Sequence, residues 1–156
     1  KPIVAMSRRK SLGKRKTVLI LCSKNSARSQ MAEALLRKHT GNRFDVHSAG
    51  LESDRVHPMV APVMAEMGID VSGQRSKNVK EDLGRLPVQY LIIVCANAEK
   101  RCPSIFPGMR ERLFWPFDDP AAAEGSEAEQ MAVFRRVRDE IDEKLREWLL
   151  EIDENS

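Results

Sequence analysis

The sequence predicts an α/β fold of three layers, in which a four-stranded parallel sheet lies between helices. Four short runs of apolar and branched residues have the length and composition of buried strands. Between these runs lie segments with apolar residues every three or four positions, the spacing of amphipathic helices. Strands that alternate with helices form βαβ units with right-handed crossovers, and such units build a parallel sheet that is covered on both faces.

The first half of the chain contains two of the strands and two of the helices. Residues 17–21, TVLIL, form the first predicted strand, and residues 29–38 form an amphipathic helix. Residues 44–48 form the second predicted strand. Pro58 can begin the next helix, which continues at helical spacing until Gly68, a residue type that commonly ends helices.

The second half contains the other two strands and the longest helix. Residues 79–86 are expected to form a short helix. Residues 88–94, VQYLIIV, are the most strand-like run of the sequence and are expected near the centre of the sheet. Residues 112–115 form a fourth, shorter strand, and residues 127–151 form a long final helix. The residues of this helix expected to face the core are Val133, Phe134, Val137, Ile141, Leu145, Trp148 and Leu149.

The chain of 156 residues has the length of one domain, and a composition that is 42% hydrophobic and 31% charged is typical of a globular protein. Residues 1–16 carry seven Lys or Arg and no acid, and we interpret them as a flexible basic extension before a single domain, residues 17–156. From residue 17 onward, 19 basic residues face 23 acidic ones. No apolar run reaches the roughly 18 residues that cross a bilayer. We expect no nucleic-acid or membrane partner, and we expect a monomer.

The three cysteines are an odd number, which argues against a secreted disulfide framework and for the reducing cytoplasm. Cys22 and Cys95 each follow a predicted strand, and an FDDP segment follows the last strand. Ligand sites in parallel sheets lie at the carboxyl ends of the strands. These three segments are therefore predicted to converge although they are far apart in the sequence.

The segment between Cys22 and Arg28 is predicted to bind a tetrahedral oxyanion. A loop of this length between a strand and a helix can turn its backbone N–H groups inward, next to the free N–H groups of the helix N-terminus. Arg28 adds a planar fork for two oxygens. The same donors are expected to lower the pKa of Cys22 and make it a nucleophile. The alternative is a small buried cysteine that only packs at a strand end. The predicted loop residues are Cys22, Ser23, Lys24, Asn25, Ser26, Ala27, Arg28 and Ser29.

Two further features add possible chemistry. Attack on an oxyanion expels an oxygen, which leaves more easily when an acid protonates it, and Asp118 and Asp119 are the candidate acids; an ordinary Asp-Pro turn is the alternative. Cys95 and Cys102 lie seven residues apart. That spacing does not suit a structural zinc site, so no metal is expected. Two unrelated packing cysteines remain the other interpretation.

The chain resembles the low-molecular-weight protein tyrosine phosphatases and, among the proteins that share their fold, the thioredoxin-coupled arsenate reductases. The resemblance covers most of the sequence. The matching segments, in order, are VLILCSKNSARSQMAEALL, VHSAGLES, HPMVAPVMAEMGIDVS, CANAEKRCP, WPFDDPA and FRRVRDEI. The cysteine pair favours the arsenate reductases, because the phosphatases generally lack it and carry an aromatic residue where this chain has Ala121.

The resemblance implies a three-cysteine relay that reduces arsenate to arsenite in arsenic detoxification. Cys22 would attack arsenate, with Arg28 binding the anion and Asp119 acting as the general acid. Cys95 would then form a disulfide with Cys22 and release arsenite, and Cys102 would form the Cys95–Cys102 disulfide. Reduced thioredoxin, a transient partner, would reduce that disulfide with electrons that come indirectly from NADPH. No cofactor is expected to be bound.

Three details depart from the family pattern or lie outside it. Lys24 stands where these loops usually carry glycine, so it is either strained or adds charge to the rim. Some relatives hold a monovalent cation through side chains corresponding to Asn25 and Glu33, and here the ammonium of Lys77 is expected to replace the ion. The three histidines are expected to be surface or capping residues; they are His39, His47 and His57.

Two other functions remain open at this level. One is a phosphotyrosine phosphatase in which Cys95 and Cys102 protect or regulate Cys22. The other is a non-catalytic oxyanion or redox sensor, against which the intact set of Cys22, Arg28 and Asp119 argues.

Overall fold

The computed structural model describes residues 15–81, 85–101 and 109–154. The strands are β1 (Lys16–Cys22), β2 (Phe44–Gly50), β3 (Tyr90–Ile93) and β4 (Glu111–Phe114). The helices are α1 (Arg28–Thr40), α2 (Val60–Ala65), α3 (Ala96–Arg101) and α4 (Glu127–Glu154). Two single 3₁₀ turns, Val79–Glu81 and Pro120–Ala122, complete the regular structure of the described residues.

The four strands form one parallel sheet in the order β2-β1-β3-β4. β1 lies inside the sheet, and every residue from Val18 to Leu21 is completely buried. Successive side chains of a strand point to opposite faces, so both faces of the sheet are covered. The predicted three-layer α/β fold is therefore confirmed.

Helix α4 covers the sheet with aromatic side chains. Trp148 stacks on Phe44 of β2 with ring centroids 6.2 Å apart, and it meets Tyr90 and Trp115 edge-on at 5.2 and 6.1 Å. Helix α1 packs against α4 and α2. Of the α4 residues expected to face the core, Val133 and Leu149 are only partly buried, and the other five are buried.

Two segments differ from the sequence-based expectation. Of the helix predicted over residues 79–86, the described residues form a 3₁₀ turn at Val79–Glu81, at the start of which the Glu81 side chain accepts the Asn78 N–H at 3.0 Å; residues 82–84 lie outside the described residues. Residues 96–101, for which no helix was predicted from the sequence, form the short helix α3. None of the helices in the described part of the chain is long and apolar enough to cross a bilayer.

Candidate active site

The loop between β1 and α1, residues 22–28, turns its backbone N–H groups into one cavity. All six carbonyls from Cys22 to Ala27 accept hydrogen bonds from groups outside this loop segment, at 2.8–3.2 Å. A trans peptide points its N–H opposite to the preceding C=O, so the N–H groups from Ser23 to Arg28 point inward. This arrangement is the predicted anion cradle. The donors to the carbonyls, in order, are Leu51 N, Glu52 N, Ser76 Oγ, Gln30 Nε2, His57 N and Met31 N.

The loop closes tightly because β2 ends in Gly50. A Cβ at this position would lie 2.7 Å from the backbone N of Asn25 and 2.6 Å from the carbonyl oxygen of Glu52. The loop residue with left-handed backbone is Asn25, with φ of +53°. Lys24 is therefore free of the strain considered for it. It is exposed on the wall of the cavity, where it adds positive charge.

Asn25 holds the loop through its side chain, which is completely buried. Its Nδ2 donates to the Oγ atoms of Ser29 and Ser48, both at 2.8 Å, and its Oδ1 accepts the Lys77 N–H at 2.9 Å. Ser29, a residue of the predicted loop, thus accepts from Asn25. A short polar side chain is well suited to a left-handed position, so this residue fixes both the shape and the connections of the loop.

The ammonium of Lys77 lies near Glu33, one of the two residues of the expected cation site. Its Nζ is 3.7 Å from the Glu33 carboxylate and donates to the Arg75 carbonyl at 2.8 Å. Glu33 is buried, accepts a short hydrogen bond from Ser48 and pairs with Arg37 at 2.7 Å. A buried carboxylate needs compensating charge. Lys77 provides that charge beside the residues that carry the loop, which supports the idea that it replaces an ion.

Arg28 connects the loop to the segment that carries the candidate acid. Its Nη1 donates to the Phe117 carbonyl at 3.0 Å, and its Nη2 lies 3.8 Å from Asp119 Oδ2. The Oδ1 of Asp119 accepts the Ala121 N–H at 3.0 Å, which fixes the carboxyl group at the start of a 3₁₀ turn. Asp118 instead pairs with Arg136 of α4 at 3.2 Å. Of the two aspartates, Asp119 is thus the one that lines the cavity.

The cavity has a volume of about 380 Å³ and opens above the loop. Ala121 and Ala122 form one wall, so the rim carries methyl groups. The phosphatases carry an aromatic residue at the position of Ala121, and such a side chain could stack on the ring of an aromatic substrate. The lining residues are Cys22, Ser23, Lys24, Ser26, Ala27, Arg28, Asp54, His57, Asp119, Ala121 and Ala122.

His57 belongs to this cavity, which the sequence-based view of it as a surface or capping residue missed. Its ring packs on Phe134 of α4 at 4.8 Å, and its Nδ1 accepts the Met59 N–H at 3.1 Å. Burial lowers the pKa of His57, and the negative charge of Asp119 only partly opposes that effect. The neutral ring therefore carries its proton on Nε2. The only sequence signal was its place before the predicted second helix.

Cys95 follows β3, and its sulfur lies beside the Cys22 loop. The Ser23 hydroxyl is 3.2 Å from Cys95 Sγ, and the Ala98 N–H of α3 donates to the same sulfur at 3.4 Å. Asn97 of α3 donates through Nδ2 to Ser23 Oγ at 2.9 Å. Cys22 and Cys95 are both buried and reduced, and their sulfurs share a hydrogen bond. The predicted convergence of these two cysteines is thus present in the structure.

The pKa values of this pair overturn one expectation. The hydrogen bond to Cys95, together with burial, raises the pKa of Cys22, although Arg28 and the Ser23 N–H oppose the rise. The hydrogen bond from Cys22, followed by those of Ser23 and Ala98, lowers the pKa of Cys95 to about 5. The two thiols compete for one proton, so the pKa of Cys22 rises as that of Cys95 falls. The expected low pKa of Cys22 is wrong for the anion-free site, because the loop donors act against a neighbouring thiolate.

Cys102, the third cysteine of the predicted relay, lies outside the described residues. Within residues 15–81, 85–101 and 109–154, no cluster of His, Cys, Asp and Glu has the arrangement of a metal site.

Comparisons with known proteins identify the family. The pattern of the low molecular weight phosphotyrosine protein phosphatase family matches residues 17–156. An arsenate reductase of Halalkalibacterium halodurans is 43% identical over 132 residues, which cover 85% of this chain and 94% of that protein. A solved arsenate reductase in the oxidized state matches with a TM-score of 0.74 at 31% identity, over 88% of this chain and 98% of the other.

A further similar solved structure is that of an enzyme whose electron donor is known. The thioredoxin-dependent arsenate reductase of Corynebacterium glutamicum matches with a TM-score of 0.69 at 29% identity, over 98% of this chain and 73% of the other. The resemblance seen in the sequence is thereby confirmed: the chain belongs to the low molecular weight phosphotyrosine protein phosphatase family and, within it, to the arsenate reductases.

Proposed function

We propose that the chain reduces arsenate to arsenite by passing a disulfide along three cysteines, with reduced thioredoxin as the final electron donor. The observation that carries the proposal is the second sulfur beside the anion cradle. A phosphatase needs only Cys22, Arg28 and Asp119. A reductase also needs a thiolate that can attack Cys22, and the Cys95 sulfur, 3.2 Å from Ser23 Oγ of the loop, supports that role.

The first step forms a bond between sulfur and arsenic. Arsenate enters the cradle, where the inward N–H groups and Arg28 bind its oxygens. Cys22 attacks arsenic while an As–OH group leaves as water. The balance needs one proton, because a thiol and hydrogen arsenate give an adduct of the same total charge and water. Asp119 protonates the leaving oxygen, and the proton that Cys22 releases restores Asp119. A protonated Cys22 in the resting site is therefore compatible with this step.

The second step reduces arsenic. The Cys95 thiolate attacks Cys22 Sγ, the sulfur–arsenic bond breaks, and its electron pair stays on arsenic, which leaves as arsenite. Cys102 then attacks Cys95 and frees Cys22, and thioredoxin reduces the Cys95–Cys102 disulfide. NADPH supplies these electrons indirectly through thioredoxin reductase. The chain itself holds no cofactor or metal in this scheme.

The remaining assignments belong to the same proposal. Residues 17–156 form the catalytic domain, which Lys16 joins as the first residue of β1, and the basic residues before it form an extension. The protein acts as a monomer in the cytoplasm, with thioredoxin as a transient partner and without nucleic acid or membrane. Each of these assignments comes from sequence composition and from the cysteine chemistry rather than from a contact in the fold.

The decisive experiment follows arsenate-dependent NADPH oxidation in the presence of thioredoxin and thioredoxin reductase. The native chain should sustain many turnovers, and Cys22→Ser should sustain none. Cys95→Ser should stop arsenate turnover, whereas Cys102→Ser should complete one turnover and then stop. Unimpaired cycling by Cys95→Ser would contradict the relay.

Hydrolysis of p-nitrophenyl phosphate provides the matched control. It uses the cradle and Asp119 but not the relay, so Cys95→Ser and Cys102→Ser should retain whatever hydrolysis the native chain has. Efficient hydrolysis without any arsenate-dependent NADPH oxidation would favour the phosphatase alternative.

A further inference from the structure

Asn97, on the first turn of α3, reaches back to the loop that holds Cys22. Its Nδ2 lies 2.9 Å from Ser23 Oγ, and that oxygen lies 3.2 Å from Cys95 Sγ. Asn97 is itself exposed. The three groups form a chain that begins in solvent, crosses the loop and ends on the second sulfur of the site.

The direction of this chain follows from the donor at its outer end. The Asn97 amide N–H donates to Ser23 Oγ and so occupies a lone pair of that oxygen. The Ser23 O–H is then left to donate to Cys95 Sγ, 3.2 Å away. Asn97 thereby prevents the hydroxyl from rotating away from the sulfur.

We propose that Asn97 is a positioning residue for the second thiol transfer: by donating to Ser23 it turns the Ser23 hydroxyl toward Cys95, so that the Cys95 sulfur next to Cys22 receives a hydrogen bond. The inference rests on the proposed function, in which the Cys95 thiolate attacks Cys22. Asn97 touches neither the substrate nor a reacting sulfur and acts only through Ser23.

The other groups around Cys95 leave room for such an effect. The positive charge of Arg28 favours the thiolate, and so do the Cys22 and Ala98 donors. Glu99 of α3 pairs with Arg112 of β4 at 3.3 Å. The hydrogen bond of Ser23 is the contribution that a single exposed side chain controls, and it sums with the others because they reach the sulfur from different elements.

The substitution Asn97→Asp gives the sharpest test, since it keeps the shape and reverses the polarity. A carboxylate can only accept, so it draws the Ser23 O–H away from Cys95 and adds a negative charge nearby. The rate of Cys95 alkylation by iodoacetamide, resolved from Cys22 and Cys102 by peptide mass spectrometry, reports the thiolate without arsenate. At pH 6 we expect Asn97→Asp to lower this rate about tenfold and Asn97→Ala to lower it less.

Single-turnover formation of the Cys22–Cys95 disulfide after arsenate addition should slow in the same order. Asn42→Asp is the matched control, because Asn42 is exposed in the turn between α1 and β2, at the opposite end of the sheet. It adds the same charge and should leave both rates unchanged.

A double substitution tests the route. If Asn97 acts through Ser23, then Asn97→Ala should have no further effect on Cys95 alkylation in a Ser23→Ala background. Additive effects, or an alkylation profile that Asn97→Asp leaves unchanged, would overturn the proposal and leave Asn97 as a part of the helix surface. If alkylation changes as expected but no disulfide forms with arsenate, the proposed function fails while the control of Cys95 by Asn97 stands.

Discussion

The two neighbouring cysteines are held in opposite ways. The loop of Cys22 is fixed by backbone: each carbonyl of the loop has a donor, and the buried Asn25 side chain donates to Ser48 of β2 and to Ser29 of α1. Cys95 comes directly before a helix of six residues; its carbonyl accepts the Glu99 N–H, and its sulfur has the longer bonds with Ser23 and Ala98. A rigid cradle and a loosely anchored thiol therefore lie side by side.

This difference agrees with what each sulfur has to do. A group that binds an anion and forms the first covalent bond gains from a preorganised surrounding. A sulfur that must pass from one disulfide partner to another has to leave its position, and hydrogen bonds to sulfur cost little to break. Four substitutions can break or sharpen the contrast.

The largest effect is expected from Arg28→Lys on the rigid side. Lysine cannot reproduce the fork that reaches the anion and the Phe117 carbonyl together. We expect kcat/KM for arsenate to fall about 100-fold or more. Arg43→Lys, which alters an exposed pair with Asp153, is the control and should retain nearly full activity. A loss of less than about fivefold for Arg28→Lys would show that the loop N–H groups suffice.

Asn25→Ala should weaken the cradle itself. The substitution leaves Ser29, Ser48 and the Lys77 N–H without their buried partner and puts alanine in a left-handed conformation. We expect a loss of about 2–4 kcal/mol in the free energy of unfolding, measured by urea denaturation. Asn42→Ala at an exposed turn should change it by less than about 0.5 kcal/mol.

Cys22→Ala tests how far the hydrogen bond from Cys22 lowers the pKa of Cys95. The hydrogen bond from Cys22 is the largest cause of the low pKa of Cys95, about 5 in the native chain. Without it the pKa should rise, so that Cys95 alkylation at pH 6 should be slower by about tenfold. At pH 9, where the thiolate forms in both proteins, the two rates should approach each other. Equal rates at pH 6 would show that Ser23, Ala98 and Arg28 hold the thiolate without Cys22.

Lys77→Ser should have the smallest effect and should reveal the ion that Lys77 replaces. Arg37 still pairs with Glu33, so we expect a loss of about 1 kcal/mol in the free energy of unfolding. Potassium chloride should restore part of it, compared with choline chloride at the same concentration. The native chain should show no difference between the two salts in thermal unfolding.

The sequence was sufficient for the fold because its signals are local. Apolar runs placed the ends of the four strands to within two residues, and the spacing of apolar residues placed α1 and α4. Helix α3 was missed because ANAEKR, with alanine as its only apolar residue type, offers no apolar face. Its first turn is held by Cys95, whose carbonyl accepts the Glu99 N–H at 3.1 Å. Of the helix predicted from residue 79, the described residues form one 3₁₀ turn, and Glu81 accepts the Asn78 N–H at the start of that turn.

The residues of the candidate site also differ in how far local sequence signals could predict them. The Cys22 loop and Arg28 could be predicted, because strand, loop and helix are contiguous in the sequence. His57 and Asn97 could not, since their connection to the site comes from segments that meet only in the fold. The pKa of Cys22 was misjudged because its direction depends on the Cys95 sulfur, 73 residues away in the sequence.

Ala121 and Ala122 present only methyl groups to the cavity, and methyl groups cannot distinguish one tetrahedral anion from another. The N–H donors of the cradle can bind phosphate as readily as arsenate, because both anions are tetrahedral. Discrimination between them therefore depends on the chemical step that follows binding. Thiols reduce arsenic(V) to arsenic(III), but they do not reduce the phosphorus(V) of phosphate. Inorganic phosphate is therefore a reversible competitor for the same binding site. The rate of arsenate reduction then depends on the ratio of arsenate to phosphate rather than on the arsenate concentration alone.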